Sequence, residues 1–312
     1  MIRSSFYFAA LITFAWPSSA IAQEDTANEV VKNTEELKPL TPWGLDYGED
    51  KCRLARLFGS EQDRHVLLIE QSWPSSGFTL IAAGSSFRRF RRGTTIFVGM
   101  QGDVPMRRTE LPPTANLAEF GPTIILSLGL RPKAQDAAER LLIGPDADDA
   151  SQSGPATTGL DPDEGAKIDR VILKRRRGKP VSFETGNLED AFKAINSCTT
   201  DLLSSWGLDP EKHRSFTRAN WLNEERITKK IMDDYPADAL SEGEQAIFRM
   251  RVIIDEQGAV AECKISAATT TEELESPACK AMQGARFSPA LDAEGMPMRS
   301  FFATSVSYRI SS

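Results

Sequence analysis

Few side chains in this chain are of the types that catalysis, metal binding or anion binding commonly use: four cysteines, two histidines, two basic clusters and some paired acids. Neither His65 nor His213 lies in a nucleophile or metal-binding motif, and the chain has no G-x-S-x-G turn or Gly-rich phosphate loop. The paired acids Asp233-Asp234 and Glu272-Glu273 lie among polar residues, whereas acid–base catalysis near neutral pH needs a poorly solvated carboxyl. An enzyme with its site in the N-terminal part is therefore the weakest alternative, and no cofactor is predicted.

The basic clusters are Arg88-Arg89-Phe90-Arg91-Arg92 and Lys174-Arg175-Arg176-Arg177-Gly178-Lys179. They could bind anionic lipid headgroups or lipopolysaccharide, or attract an acidic partner. Alternatively, they are solvated hairpin tips and strand faces, where Lys and Arg also prevent unwanted pairing of strand edges. We favour the second interpretation, because most charge runs are solvated surfaces.

The N-terminus has the three parts of a secretory signal sequence. Arg3 is the positive region, residues 6–16 are the apolar region, and Ala20-Ile21-Ala22 is a cleavage site. The apolar run is shorter than the roughly 20 residues that span a bilayer, so cleavage is predicted rather than an uncleaved inner-membrane anchor. Export and the formal net charge of −7 both argue against nucleic acid as a partner.

Four cysteines in an exported chain predict disulfides. Of the three possible pairings, we prefer Cys263–Cys279, between a strand and the helix that covers it. The other preferred bond, Cys52–Cys198, joins the start of the N-terminal domain to its last helix. A metal site is the alternative, but the chain has no C-x-x-C spacing and no metal is predicted.

The predicted class is α+β, with a β-rich N-terminal domain at 43–211. Apolar or alternating runs bounded by turn residues predict an antiparallel sheet or partial barrel, with strands at 52–58, 65–71, 78–83, 94–100 and 122–130. An exposed loop or domain boundary at 144–165 and a hairpin from 168–173 and 180–183 come next. Asn187 then caps a closing helix at 187–206, whose apolar stripe includes Cys198.

The remaining segments follow from composition. Residues 1–22 are the signal peptide, and the polar, acidic residues 23–42 are predicted to be a disordered lead-in. Residues 212–230 are charged and predicted to link the two domains. The last segment, 231–312, is a second and smaller domain.

This C-terminal domain has the clearest pattern. Phe248, Met250, Val252 and Ile254 alternate with polar residues, and a turn ending in Gly258 leads to a second alternating strand. Ser276 and Pro277 are predicted to open a short helix, and a last strand covers 298–310. The order strand, strand, helix, strand predicts an antiparallel sheet under a helix.

These residues resemble the C-terminal domain of the TonB family of energy-transducing periplasmic proteins. The resemblance rests on four features in order: Tyr235-Pro236 with Ala239, Ile254-Asp255-x-x-Gly258-x-Val260, Arg286-Phe287-x-Pro289-Ala290, and the pair Cys263 and Cys279. Energy-transducing members also have an uncleaved N-terminal helix and a spacer of Glu-Pro and Lys-Pro repeats. The chain has no such spacer, so a divergent, non-catalytic member in the periplasm is predicted.

The resemblance implies that the last strand lies at a sheet edge and accepts an extended peptide from a TonB-dependent outer-membrane receptor. The exposed face of this strand would include Phe301, Ala303 and Ser305. The alternating residues Phe302, Val306 and Tyr308 are predicted to pack inward. The alternatives are that the N-terminal domain or a second copy covers this edge, the latter making the protein an envelope scaffold that self-associates.

Overall fold

The computed structural model of the protein describes residues 34–92, 95–100, 107–110, 115–129, 159–234, 246–267 and 272–308. The fold is α+β, as predicted. Most buried apolar side chains form two clusters, a large one from Leu37 to Leu208 joined by Ile253, and a smaller one from Ala219 to Met298. No helix within the described ranges is long and apolar enough to span a lipid bilayer.

The N-terminal domain is built mainly of strands. In chain order these are β1 (Glu35–Leu37), β2 (Gly44–Tyr47), β3 (Cys52–Gly59), β4 (Arg64–Gln71), β5 (Gly77–Ala83), β6 (Thr95–Gly99), β7 (Arg107–Glu110), β8 (Ala115–Leu117), β9 (Gly121–Gly129), β10 (Val171–Arg175) and β11 (Val181–Phe183). Within the described residues they form two sheets, with the orders β1-β11-β10-β6-β7 and β2-β3-β4-β5-β9-β8. The predicted strands and the β10–β11 hairpin are confirmed, but they divide between two sheets.

Helices complete this domain. They are α1 (Pro162–Ala166), α2 (Glu189–Ser205) and a 3-10 helix at Ser85–Arg92. The stripe of α2 buries Phe192, Ile195 and Leu202 in the large cluster. The predicted N-cap is one residue too early, because Leu188 is the N-cap residue of α2, although the Asn187 side-chain oxygen does accept a hydrogen bond from the Glu189 N–H at 2.7 Å. Cys198 of α2 forms a disulfide with Cys52 of β3, one of the two preferred pairs.

The C-terminal domain follows the predicted order of elements. It has β12 (Asn220–Trp221), α3 (Glu224–Asp233), β13 (Ala246–Ile254), β14 (Val260–Ala267), α4 (Glu272–Met282), β15 (Phe287–Ser288), β16 (Ala290–Leu291), β17 (Pro297–Met298) and β18 (Ser300–Tyr308). The main sheet has the antiparallel order β14-β13-β18. Helix α4 lies over one face of it, above the buried side chains of Met250 and Val252. The second preferred disulfide, Cys263–Cys279, joins β14 to α4.

The predicted linker at 212–230 is wrong. Thr217 exchanges backbone hydrogen bonds with Leu291, and β12 pairs with β15. Helix α3 buries Ile227 and Ile231 in the smaller cluster. This charged segment is therefore part of the C-terminal domain, because its few apolar residues pack against partners about 70 residues later in the chain.

Other predicted boundaries also differ. The disordered lead-in at 23–42 is wrong from residue 34 onward, because β1 pairs in parallel with β11 and buries Leu37. The predicted loop at 144–165 is wrong at its C-terminal end, because α1 begins at Pro162. Residues 144–158 lie outside the described residues. Helix α4 begins before Ser276 and has Pro277 in its interior, since the acidic residues that precede the proline favour the start of a helix.

Candidate functional site

The last strand, β18, lies at an edge of the C-terminal sheet. In the part of the chain that the structure describes, it pairs only with β13, over the full length of Ser300–Tyr308. Residues of an antiparallel strand direct their N–H and C=O groups alternately to one neighbour and to the other. Every second residue of β18 therefore presents unpaired backbone groups along the outer edge.

One face of β18 packs on the core of its own domain. The ring of Phe302 lies 5.3 Å from Trp221 and 5.4 Å from Phe287, measured between ring centroids. This is the inward direction predicted from the alternation. The side chains of Ser305, Val306 and Tyr308 lie outside the described residues, so their directions remain predictions.

The opposite face of β18 is covered, and the expectation that Phe301 and Ala303 are exposed is wrong. The ring of Phe301 lies 5.6 Å from Trp206 and 6.0 Å from His213, and Ala303 is only 2% exposed. Ile253, which is opposite Phe301 in the register, is buried in the large cluster of the N-terminal domain. The two side chains do face away from the core of their own domain, but the N-terminal domain packs on that face.

Cations of β13 and β14 make polar contacts across the same junction. The Arg251 guanidinium lies 4.0 Å from the centroid of the Trp206 ring and 3.8 Å from the Asp50 carboxylate. Lys264 also contacts Asp50, with its Nζ 2.7 Å from Oδ1. Burial lowers the pKa of Arg251, and the nearby carboxylates of Asp50 and Glu262 oppose that shift.

Arg249 contributes a further contact, since its guanidinium donates to the Thr79 hydroxyl of β5 and to Ser72 Oγ at 3.4 Å. The N-terminal domain thus contacts this face of the C-terminal sheet through a cation–π contact, ion pairs and apolar packing. We conclude that this face is occupied by the chain itself, whereas the outer backbone edge of β18 has no strand partner among the described residues.

A polar cluster that the sequence analysis missed lies in the N-terminal domain. His65 Nε2 lies 2.9 Å from Ser86 Oγ, and Ser86 donates to the Glu35 carboxylate. Arg89 Nη2 also binds Glu35, at 2.7 Å. Burial raises the pKa of Glu35, but the hydrogen bonds from Ser86 and Arg89 outweigh it and the pKa is lowered.

Serine, histidine and glutamate together are a combination used in nucleophilic catalysis, but here they are packed closely. His65 is completely buried, and a Cβ added at Gly84 would lie 2.0 Å from its ring. The Ser86 proton is directed to Glu35 and not to the imidazole. This cluster therefore fixes β1 and the 3-10 helix against β4. Within the described ranges, no three His, Cys, Asp or Glu side chains are arranged to hold a metal ion.

The C-terminal domain is thus a small α+β module, in which a three-stranded antiparallel sheet is covered by a disulfide-linked helix and ends in the edge strand β18. Residues 233–310 match the family model of the Gram-negative bacterial TonB protein C-terminal. This part of the chain is therefore similar to the C-terminal domain of TonB proteins, and it accounts for 78 of the 312 residues. No curated protein is similar enough to the chain to count as a match.

Proposed function

We propose that this is a non-catalytic interaction protein of the periplasm, and that the outer edge of β18 binds an extended segment of a partner protein. The partner class that suits a TonB C-terminal domain is a TonB-dependent outer-membrane receptor. The observation that carries the proposal is the open edge: β18 is nine residues long and has β13 as its one neighbour in the described chain.

Strand addition at such an edge needs no pocket. The partner's backbone bonds to the unpaired N–H and C=O groups of β18, and these bonds provide affinity with little dependence on sequence. Selectivity then comes from the alternate side chains of the added strand. Because the N-terminal domain covers one face of the sheet, we propose that it narrows the space next to the edge and so restricts which segments fit.

The periplasmic location rests on the N-terminal sequence, whose short apolar region and Ala20-Ile21-Ala22 predict export and cleavage. Self-association is the alternative function, since the same edge could pair with β18 of a second copy. Both functions use the same backbone groups. Self-association predicts that β18 of a second copy occupies the edge in the isolated protein, whereas binding of another protein predicts that the edge is open there.

Proline substitutions at Thr304 and Ser305 test the use of this edge. These neighbours are opposite Met250 and Arg249, and only one of the two can direct its N–H toward β13. The proline that removes the inward N–H breaks the sheet and is expected to cost about 1–3 kcal/mol of stability. The proline that removes the outward N–H is expected to leave the protein folded and to lower its affinity for the peptide at least about tenfold. Strand addition needs that N–H as a hydrogen-bond donor.

The measurement is fluorescence anisotropy with a synthetic peptide from the N-terminal segment of a TonB-dependent receptor of the same cell. Thr304→Val and Ser305→Ala, which keep the N–H, are the matched controls and should bind as the unmodified protein does. If both proline variants fold and bind normally, strand addition at this edge is wrong. If both unfold, both sides of β18 are already paired, which also contradicts the proposal.

A further inference from the structure

The two basic clusters, which are far apart in the sequence, lie together at one end of the five-stranded sheet. The Arg175 guanidinium, at the end of β10, donates to the backbone carbonyl of Arg89 in the 3-10 helix. That helix leads into β6, which pairs directly with β10. The expectation of hairpin tips and strand faces therefore fits the second cluster, whereas the first lies on a helix.

A third basic segment joins them through the strand register. Phe97 of β6 is opposite Lys174 of β10 on one side and opposite Arg108 of β7 on the other. Residues directly opposite each other lie on the same face of a sheet, and neighbouring strands are about 4.8 Å apart. Lys174 and Arg108 therefore flank the half-buried Phe97 on one face. The sequence gives no sign of this arrangement, because Arg108 lies outside both clusters.

The cations of this surface have few partners. Those that are exposed belong to the 3-10 helix, β7 and the β10–β11 turn, namely Arg88, Arg108, Arg176, Arg177 and Lys179. Among the described residues none of them forms an ion pair, whereas the neighbouring Arg89 is paired with Glu35. The chain has a net charge of −7, so these cations without ion-pair partners make one end positive while the rest of the molecule is negative. We call this surface, with Lys174 and Phe97, the basic end.

We propose that the basic end binds the anionic headgroups of a membrane surface. Its cations come from separate segments and spread over one end of a sheet, which suits a plane of many anions better than a single ligand. An aromatic ring between two long cationic side chains also suits the headgroup region, where apolar and charged groups are solvated together. The acidic remainder of the chain disfavours nucleic acid, which would extend beyond this end.

The expected effect follows from the number of cations. Each Lys or Arg near an anionic surface contributes about 1 kcal/mol, which is about fivefold in partitioning. Replacing Arg176, Arg177 and Lys179 by glutamine is therefore expected to weaken binding about 100-fold. Replacing Arg88 and Arg108 by glutamine is expected to weaken it about 30-fold, because both are exposed cations at the same end of the sheet.

The experiment is co-sedimentation of the mature protein with vesicles of phosphatidylcholine alone or mixed with phosphatidylglycerol. The control variant, Arg226→Gln with Lys280→Gln and Arg299→Gln, removes three positive charges, at least as many as either basic-end variant, from exposed positions of the C-terminal domain. We expect salt-sensitive binding to the anionic vesicles only, lost in both basic-end variants and retained in the control. All variants should keep the circular dichroism of the unmodified protein, since the substituted side chains are exposed.

Several results would overturn the proposal. One is the absence of binding to anionic vesicles at low salt. Another is an equal loss of vesicle binding in the control variant, which would mean that binding depends only on the net charge of the protein. Competition by a soluble acidic peptide or single-stranded oligonucleotide at the same phosphate or carboxylate concentration would assign the basic end to that ligand instead. None of these measurements involves the edge of β18, so the inference stands or fails independently of the proposed receptor binding.

Discussion

Replacing Cys52 and Cys198 together by alanine is expected to lower the free energy of unfolding by about 5 kcal/mol. The disulfide joins residues 146 positions apart, so it removes much of the conformational freedom of the unfolded chain. Both sulfurs are also buried, at 0% and 1% exposure of their residues, which is why alanine is preferable to serine. Since the free energy of unfolding of a whole domain is about 5–15 kcal/mol, the N-terminal domain should become only marginally stable.

The matched control is the pair Cys263→Ala and Cys279→Ala, whose disulfide spans only 16 positions. Its removal is expected to cost about 3 kcal/mol, because a shorter loop restricts the unfolded chain less. Urea unfolding, followed by circular dichroism, compares the two pairs. An equal or larger loss in the control pair would contradict the assignment of the longer bond as the main covalent constraint.

Gly258→Ala is expected to destabilise the C-terminal domain by about 3 kcal/mol. Gly258 ends the β13–β14 turn with a φ of +80°, where a side chain is strained. An added Cβ would also lie 1.9 Å from the Phe287 carbonyl oxygen, while the Gly258 carbonyl accepts a hydrogen bond from the Phe287 N–H. The substitution must therefore push apart the turn and β15.

Gly295 provides a control that separates these two costs. Its φ is +78°, nearly the same, but a Cβ added there has no heavy atom within 4 Å. Gly295→Ala should cost only about 1 kcal/mol, the strain of the backbone alone. If thermal unfolding shows equal losses for the two variants, the close approach to Phe287 does not contribute.

The C-terminal fold could be predicted because its signals are local. Met250 and Val252 alternate with arginines, and Gly258 is placed where the hairpin needs a positive φ. The disulfides could be predicted for a related reason, since each pair lies on neighbouring elements that the periodicity had already identified. Helix α2 could be predicted for the same reason, because its apolar stripe and the Asn187 hydrogen bond to its first turn are both local patterns.

The covered face could not be predicted in the same way. The alternation of apolar and polar residues along a strand predicts which side chains share a face, but it does not predict what packs on that face. Ile253 and Phe301 are apolar residues on the outward face, and they are the one local sign that something packs there. Arg249 and Arg251 between them favoured exposure, although in the folded chain their guanidinium groups contact Thr79, Trp206 and Asp50.

Long-range pairing explains the other errors. β1 is three residues long and its partner β11 is about 146 positions away, so no local period marks it. The charge of the segment at 212–230 predicts a linker, yet β12 and α3 pack on elements that come much later in the chain. The cluster of His65, Ser86 and Glu35 was missed because three separate segments bring these side chains together.

Residue-resolved hydrogen exchange by NMR shows directly whether the outer edge of β18 is open and whether a partner segment binds there. In the dilute free protein, alternate amides of β18 are expected to exchange fast, because those N–H groups face the open edge. Addition of the receptor-segment peptide should slow those same amides and leave the amides that bond to β13 unchanged. Peptide binding at an open β18 edge is contradicted if all β18 amides are already protected in the free protein, or if the peptide protects none of them.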